Sequence, residues 1–160
     1  MLTVASVHAG TTGNVIPETA ELAGTMRAVS EASRHRLHSG VHRVAHHVAA
    51  AHDCEATVAI TEGYPVTVND PDFVDFATAV MGDVVGDDRV RRMPNPIMGA
   101  EDFSYILQQV PGCMAFLGVC PPGTDPQTAA ACHSNRMVLD EGAMTTGIAT
   151  HAAVALSYLA

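Results

Sequence analysis

Three short strings hold the side chains best suited to chemistry. Asn14 closes the loop-forming run Ala9-Gly10-Thr11-Thr12-Gly13-Asn14, and Arg27 lies on the polar face of an alternating segment downstream. A guanidinium fork grips a carboxylate at two points, while an Asn amide donates to a carbonyl oxygen that gains charge in a transition state. Arginines on strands and asparagines in turns are also common without any such role. The second string is Met98-Gly99-Ala100-Glu101-Asp102-Phe103. Its adjacent carboxylates follow a glycine turn, where they equally serve to cap a helix and favour its dipole. The third is Cys132-His133-Ser134 in a long irregular segment. A neutral loop imidazole is a common zinc ligand, and Ser134 is placed to orient it. A Cys132–His133 nucleophilic pair is less credible, because neighbours in sequence point apart.

A fourth set is periodic. A helix is expected from about Ser30, its N-cap, to about Asp53, and winding at about 100° per residue gathers His35, His38, His42 and His46 on one face. Histidines at i and i+4 can share a cation. The face opposes the stripe Leu37, Val41, Val44 and Val48 and has no carboxylate except near its ends. It therefore reads first as a solvated surface that takes up nickel or zinc adventitiously.

Composition bounds what such residues can serve. The chain has 160 residues, of which 48% are hydrophobic and 4% aromatic, with no Trp. That is enough for one ordinary core or two small ones, and the abundance of Ala makes that core shallow. The 8 basic residues are all Arg and face 17 acidic ones, for a net charge of −9, so a nucleic-acid backbone would be repelled. No stretch approaches the roughly 18 consecutive apolar residues of a membrane span. A cytoplasmic protein without nucleic-acid or membrane partners is the expectation. Cys54, Cys113, Cys120 and Cys132 are too few and too irregularly spaced for a disulfide framework, and no C-x-x-C pair suggests a thiolate zinc site. Free thiols in a reducing compartment are expected.

The elements that would position these residues can be read from pattern. Residues 2–8 are rich in β-branched types, and Thr19 to Ala28 alternates, with Ala20, Leu22, Gly24, Met26 and Ala28 on one face. The two form a hairpin joined through Asn14-Val15-Ile16-Pro17. After the histidine-bearing helix, residues 55–61 predict a third strand with Ala56, Val58 and Ile60 inward. A composition change at Gly63-Tyr64-Pro65 opens a second unit. Asp70-Pro71 supplies an N-cap with proline at the first helical position, leading a helix up to Gly86. A short helix through Gln109, a buried strand at Cys113–Val119 and a last helix from about Asp140 to Leu159 follow. That helix carries Met144, Ile148, Ala152, Ala155 and Leu159 on one side, and His151 falls there as a core histidine. The fold class is α/β, with domains at 1–62 and 63–160; the first has the order of the last elements of a split βαβ sandwich.

A resemblance emerges from the ordered set of strings. Gly10-Thr11-Thr12-Gly13-Asn14-Val15-Ile16-Pro17, Leu22-Ala23-Gly24-Thr25-Met26-Arg27, Gly63-Tyr64-Pro65, Asn69-Asp70, Met98-Gly99-Ala100-Glu101-Asp102-Phe103 and His133-Ser134-Asn135-Arg136 with Asp140-Glu141 occur in that order. Together they resemble the aminoacylase/hippurate-hydrolase family of metal-dependent amidohydrolases. The resemblance covers nearly the whole chain but less than half of a complete family member. It implies a partial ferredoxin-like lid and dimerisation domain, followed by the C-terminal part of a zinc-peptidase-like α/β domain.

The same resemblance implies hydrolysis of the amide bond of N-acyl amino acids such as hippurate. Two divalent metals, zinc, manganese or cobalt, would activate a water, and a Glu would take its proton. His133 is the implied metal ligand, and Asn14, Arg27 and Glu101 are the implied substrate-binding residues. The general base and most ligands are expected upstream of the lid, in strings that do not occur here; the chain has no Glu-Glu pair, and Asn135 stands where a proline commonly follows His-Ser. The chain is thus expected to be inactive alone and to associate as a homo-oligomer or with a missing N-terminal half. The alternative is a non-catalytic dimerisation module derived from such an enzyme.

Overall fold

The computed structural model describes all residues from Met1 to Ala160, as a mixed α/β chain of one two-stranded sheet and four α-helices. It divides into two compact units: 1–67 with 95–106, and 68–94 with 107–160. No helix is long and apolar enough to cross a membrane.

In the first unit, β1 (Leu2–Ala9) pairs antiparallel with β2 (Ala20–Met26), as the alternation predicts. A bulge interrupts the ladder, since Val4 pairs with Gly24 while Ser6 pairs with Ala23. That one-residue shift puts Leu2, Val4 and Val7 on the same face as Met26, Gly24 and Leu22, although Val4 and Val7 are an odd number apart. Gly24 is required by the approach. A Cβ there would stand 2.1 Å from the Thr3 carbonyl oxygen, a backbone atom that cannot swing aside. The half-buried hairpin expected from sequence is instead exposed on both faces, with only Ser6 and Met26 partly covered.

Helix α1 (Glu31–Ala50) begins where the sequence places it: the Ser30 side chain accepts from the Ser33 amide at 3.2 Å. It ends earlier than Asp53, which takes a positive φ of 53°. Leu37 and Val41 are half-buried, but Val44 and Val48 are exposed, so the expected core stripe covers only the first half of the helix. Arg34 holds the following segment against this end of α1, lying 3.6 Å from Glu62 and 3.5 Å from Glu31, while Glu31 Oε1 accepts from the Val66 amide at 3.4 Å.

The strand predicted at 55–61 does not form. Ala56, Val58 and Ile60 are half-buried in strict alternation, as predicted, yet the segment pairs with no strand. Alternation reports a one-sided environment; a strand also needs a neighbour to supply its ladder. The short α3 (Phe103–Leu107) belongs mainly to this unit and stops short of the expected Gln109. Tyr105 sets its ring edge-on to Tyr64, with centroids 5.9 Å apart.

In the second unit, Asp70 caps α2 (Pro71–Val85), with Oδ1 accepting from the Phe73 amide at 2.8 Å. A 3-10 turn follows at Asp87–Arg89. Phe73 and Phe76 meet Tyr158 at ring separations of 5.6 and 6.0 Å, tying the start of α2 to the end of α4 (Ala143–Leu159). Helix α4 presents the opposite face from the one its large residues suggest. Ala143, Thr146, Gly147, Thr150, Ala153 and Val154 are half-buried, whereas Met144, Ile148, Leu156 and Leu159 are exposed, and so is His151, the expected core histidine. On the covered face Gly147 lies close to Leu117, whose Cδ2 stands 2.9 Å from where a Cβ on Gly147 would be.

The buried strand expected at Cys113–Val119 is also absent; the segment is irregular and exposed from Ala115 to Gly118. Only Ala77 among the apolar side chains is fully buried, so the core is as shallow as the composition implies.

Candidate functional site

Arg27 directly follows β2. Its amide donates to the Met1 carbonyl at 2.9 Å and its carbonyl accepts from the Met1 amine at 2.8 Å, extending the hairpin ladder by one residue. The Arg27 guanidinium donates through Nη1 to the Met98 carbonyl. This bond sets the side chain on the wall of an open cleft of about 330 Å³, whose lining includes Val29, Ser33, Arg36, Leu37 and Met98. Arg36 is held there by a 3.2 Å bond from Nη2 to the Ser33 hydroxyl. Two guanidiniums beside aliphatic and thioether carbon suit a carboxylate carried on an apolar body. No motif marks Arg36 in the sequence; its spacing of three from Ser33 and its adjacency to Leu37 put it on the first turns of α1.

The remaining candidates do not line this cleft. Asn14 is exposed in the connection between β1 and β2. Glu101 is half-buried, and its carbonyl accepts from the Ser104 amide at 3.2 Å and from the Ser104 hydroxyl. Ser104 is itself fully buried, so this bond fixes the turn into α3. The structure thus joins Arg27 to the Met98 end of the second string.

His133 belongs to the second unit, exposed and with φ of 72°, in the left-handed region that a non-glycine residue seldom occupies. The Ser134 hydroxyl accepts from the Arg136 amide at 3.2 Å, a bond that shapes the turn. No group of three or more His, Cys, Asp or Glu side chains anywhere in the chain is close enough to hold a metal ion. The residues present therefore do not fit a two-metal centre.

All four cysteines are free thiols. Burial pushes the Cys113 thiol above its ordinary pKa, because a thiolate loses hydration there.

The paired hairpin, the capped helix α1 and the arginine-walled cleft lie in the first unit, and the His133 loop lies in the second. Comparison with known proteins gives the family. Residues 4–157 match Peptidase family M20/M25/M40, and the chain belongs to it. It is 34% identical over 99% of its length to IAA-amino acid hydrolase ILR1-like 4 of Arabidopsis thaliana, covering 36% of that protein. It is 28% identical to Thermostable carboxypeptidase 2 of Saccharolobus solfataricus, again over 99% of its own length and 39% of the relative's. N-acetyldiaminopimelate deacetylase of Lactiplantibacillus plantarum is 33% identical over 92% of this chain and 36% of its own. The chain thus spans little more than a third of the length of these curated relatives. No solved structure matches it significantly.

Proposed function

We propose that this chain is the substrate-gripping and C-terminal portion of a hydrolase that cleaves the amide bond of N-acyl amino acids. The observation that carries the reading is Arg27, anchored to the Met98 carbonyl on the wall of a cleft it shares with Arg36 and apolar side chains. The relatives' names, an IAA-amino acid hydrolase and an N-acetyldiaminopimelate deacetylase among them, support an amide as the bond broken. A hippurate-like acyl amino acid presents an apolar acyl group and a carboxylate, and the guanidiniums take the carboxylate. Asn14 stands outside this cleft; the family resemblance assigns its amide to the substrate's carbonyl oxygen in the complete protein. The order β1, β2, α1 supports a partial ferredoxin-like lid, with His133 as a metal ligand of the catalytic part. The zinc, manganese or cobalt pair implied by the family lacks a ligand set in this chain, so no chemical step is assigned to it.

Titration of hippurate into the purified chain, read by NMR, tests this directly. Binding that Arg27→Gln removes is expected, with no release of benzoate whether or not zinc, manganese or cobalt is added. Binding unaffected by Arg27→Gln would overturn the assignment of the cleft, and metal-stimulated turnover would overturn the chain's inactivity alone.

A second reading, a non-catalytic dimerisation module, is favoured by the hairpin. Both its faces are open, with Leu2, Val4, Val7 and Leu22 exposed together on one of them.

A further inference from the structure

We propose that α1 carries a chelating site for a divalent transition-metal ion, formed by His42 and His46 and separate from the cleft and from His133. The two residues are one helical turn apart, both exposed, and their rings stack with centroids 6.1 Å apart and planes 14° from parallel. The stacking brings two imidazoles to the same patch of helix surface.

The hydrogen bond of His46 to the backbone is the second observation. His46 Nδ1 lies 2.6 Å from the His42 carbonyl oxygen. A carbonyl only accepts, so Nδ1 carries the proton and donates. In the neutral ring this leaves Nε2 with a free lone pair at the outer end. Donation of one ring nitrogen to a backbone carbonyl is the way proteins hold a metal-ligating histidine in its tautomer and orientation. The proposal requires the His42 ring to turn from its stacked position so that one of its nitrogens meets the same ion.

Surroundings set the class of ion. No carboxylate joins the pair, and no third His, Cys, Asp or Glu completes a group. Hard cations such as magnesium and calcium find no oxygen ligand set here. Copper(II), nickel(II) and zinc(II), which accept imidazole, are the fitting ions, with water completing the coordination and copper binding most tightly of the three. His46 is ten residues beyond Arg36, about 15 Å along the helix at 1.5 Å per residue. An ion held there cannot touch a ligand in the cleft.

The test uses the untagged chain and nickel chloride. Calorimetric titration is expected to show saturable binding that weakens at least about tenfold in His42→Ala and in His46→Ala, and that His133→Ala and His47→Ala leave unchanged. Alanine suits a helix interior, so both pair variants keep their fold. Circular dichroism should show helicity rising on nickel addition in the wild-type chain and not in the double variant, because an ion bridging i and i+4 ties one turn. Imidazole nitrogen NMR should show His46 protonated at Nδ1. Nickel affinity that survives loss of both histidines, loss of affinity in His133→Ala, or a His46 ring protonated at Nε2 would each overturn the proposal.

Discussion

The Asn69 side chain pairs with the backbone of Met114 in both directions: Nδ2 donates to the Met114 carbonyl at 3.2 Å, and Oδ1 accepts from the Met114 amide at 2.9 Å. The next residue repeats the link, since the Asp70 amide donates to the Gly112 carbonyl at 2.9 Å. An amide side chain here does for the 112–114 segment what a neighbouring strand would do. Asn69→Ala is expected to lower stability by about 1–2 kcal/mol, two modest hydrogen bonds, whereas Asn69→Ser, with a shorter reach, recovers little. Chemical denaturation of both variants checks this; unchanged midpoints would show that the pair contributes nothing.

Gly24→Ala should be among the most damaging small substitutions. The added Cβ meets the Thr3 carbonyl at 2.1 Å, so the strands must part at the bulge. A loss of roughly 1–3 kcal/mol or more is expected for forced overpacking. Gly13→Ala is the control, because nothing lies within 4 Å of its would-be Cβ. Equal thermal midpoints for the two would contradict the close approach.

Cys113 should react with iodoacetamide more slowly than an unperturbed thiol at mildly alkaline pH. Burial raises its pKa, so less thiolate is present at a given pH, and the rate climbs only at higher pH. The linkage has a definite sign: the thiol form is favoured by folding, so the chain loses stability as pH rises past the unfolded thiol's pKa. Site-resolved mass spectrometry across a pH series gives the profile.

Arg36→Ala is expected to weaken hippurate binding by about tenfold or more by removing one of the cleft's two guanidiniums, a charge-assisted contact worth about 1.5–3 kcal/mol. Arg43→Ala, on the same helix but outside the cleft lining, should bind as the unaltered chain does. NMR titrations of the two variants side by side decide it.

Leu22→Glu should reduce self-association. Leu22 is 64% exposed on the face that also holds Val7 and Met26, and a carboxylate there opposes burial against a second copy. Light scattering at micromolar concentration is expected to show an assembly for the unaltered chain and a smaller species for the variant. A monomer in both cases would remove the dimerisation reading.

What was legible in the sequence was local. Ser30 before α1 and Asp70-Pro71 before α2 each bond to an amide three residues on, an event that needs no other part of the chain. The β1–β2 hairpin is legible for the same reason. The segments at 55–61 and 113–119 misled, because their apolar pattern is real but their pairing depends on a distant neighbour. Helix α4 misled differently: spacing suggested that Met144, Ile148 and Leu159 face inward, whereas the half-buried face is the one that carries Gly147 and Ala153. Arg27, singled out by its string, lines the cleft, whereas Arg36 joins that lining only through the fold that turns α1 toward Met98.

The bulge at Ala5 also bears on how a further strand would add to this sheet. Along β1 the free amides and carbonyls lose their even spacing between Val4 and Ser6, so an incoming strand can stay in step with residues 2–4 or with residues 6–9, not with both. The outer edge of β2 has no such break. Growth of the sheet is thereby steered to one side, and the chain limits its own propagation into longer ribbons by a single surplus residue.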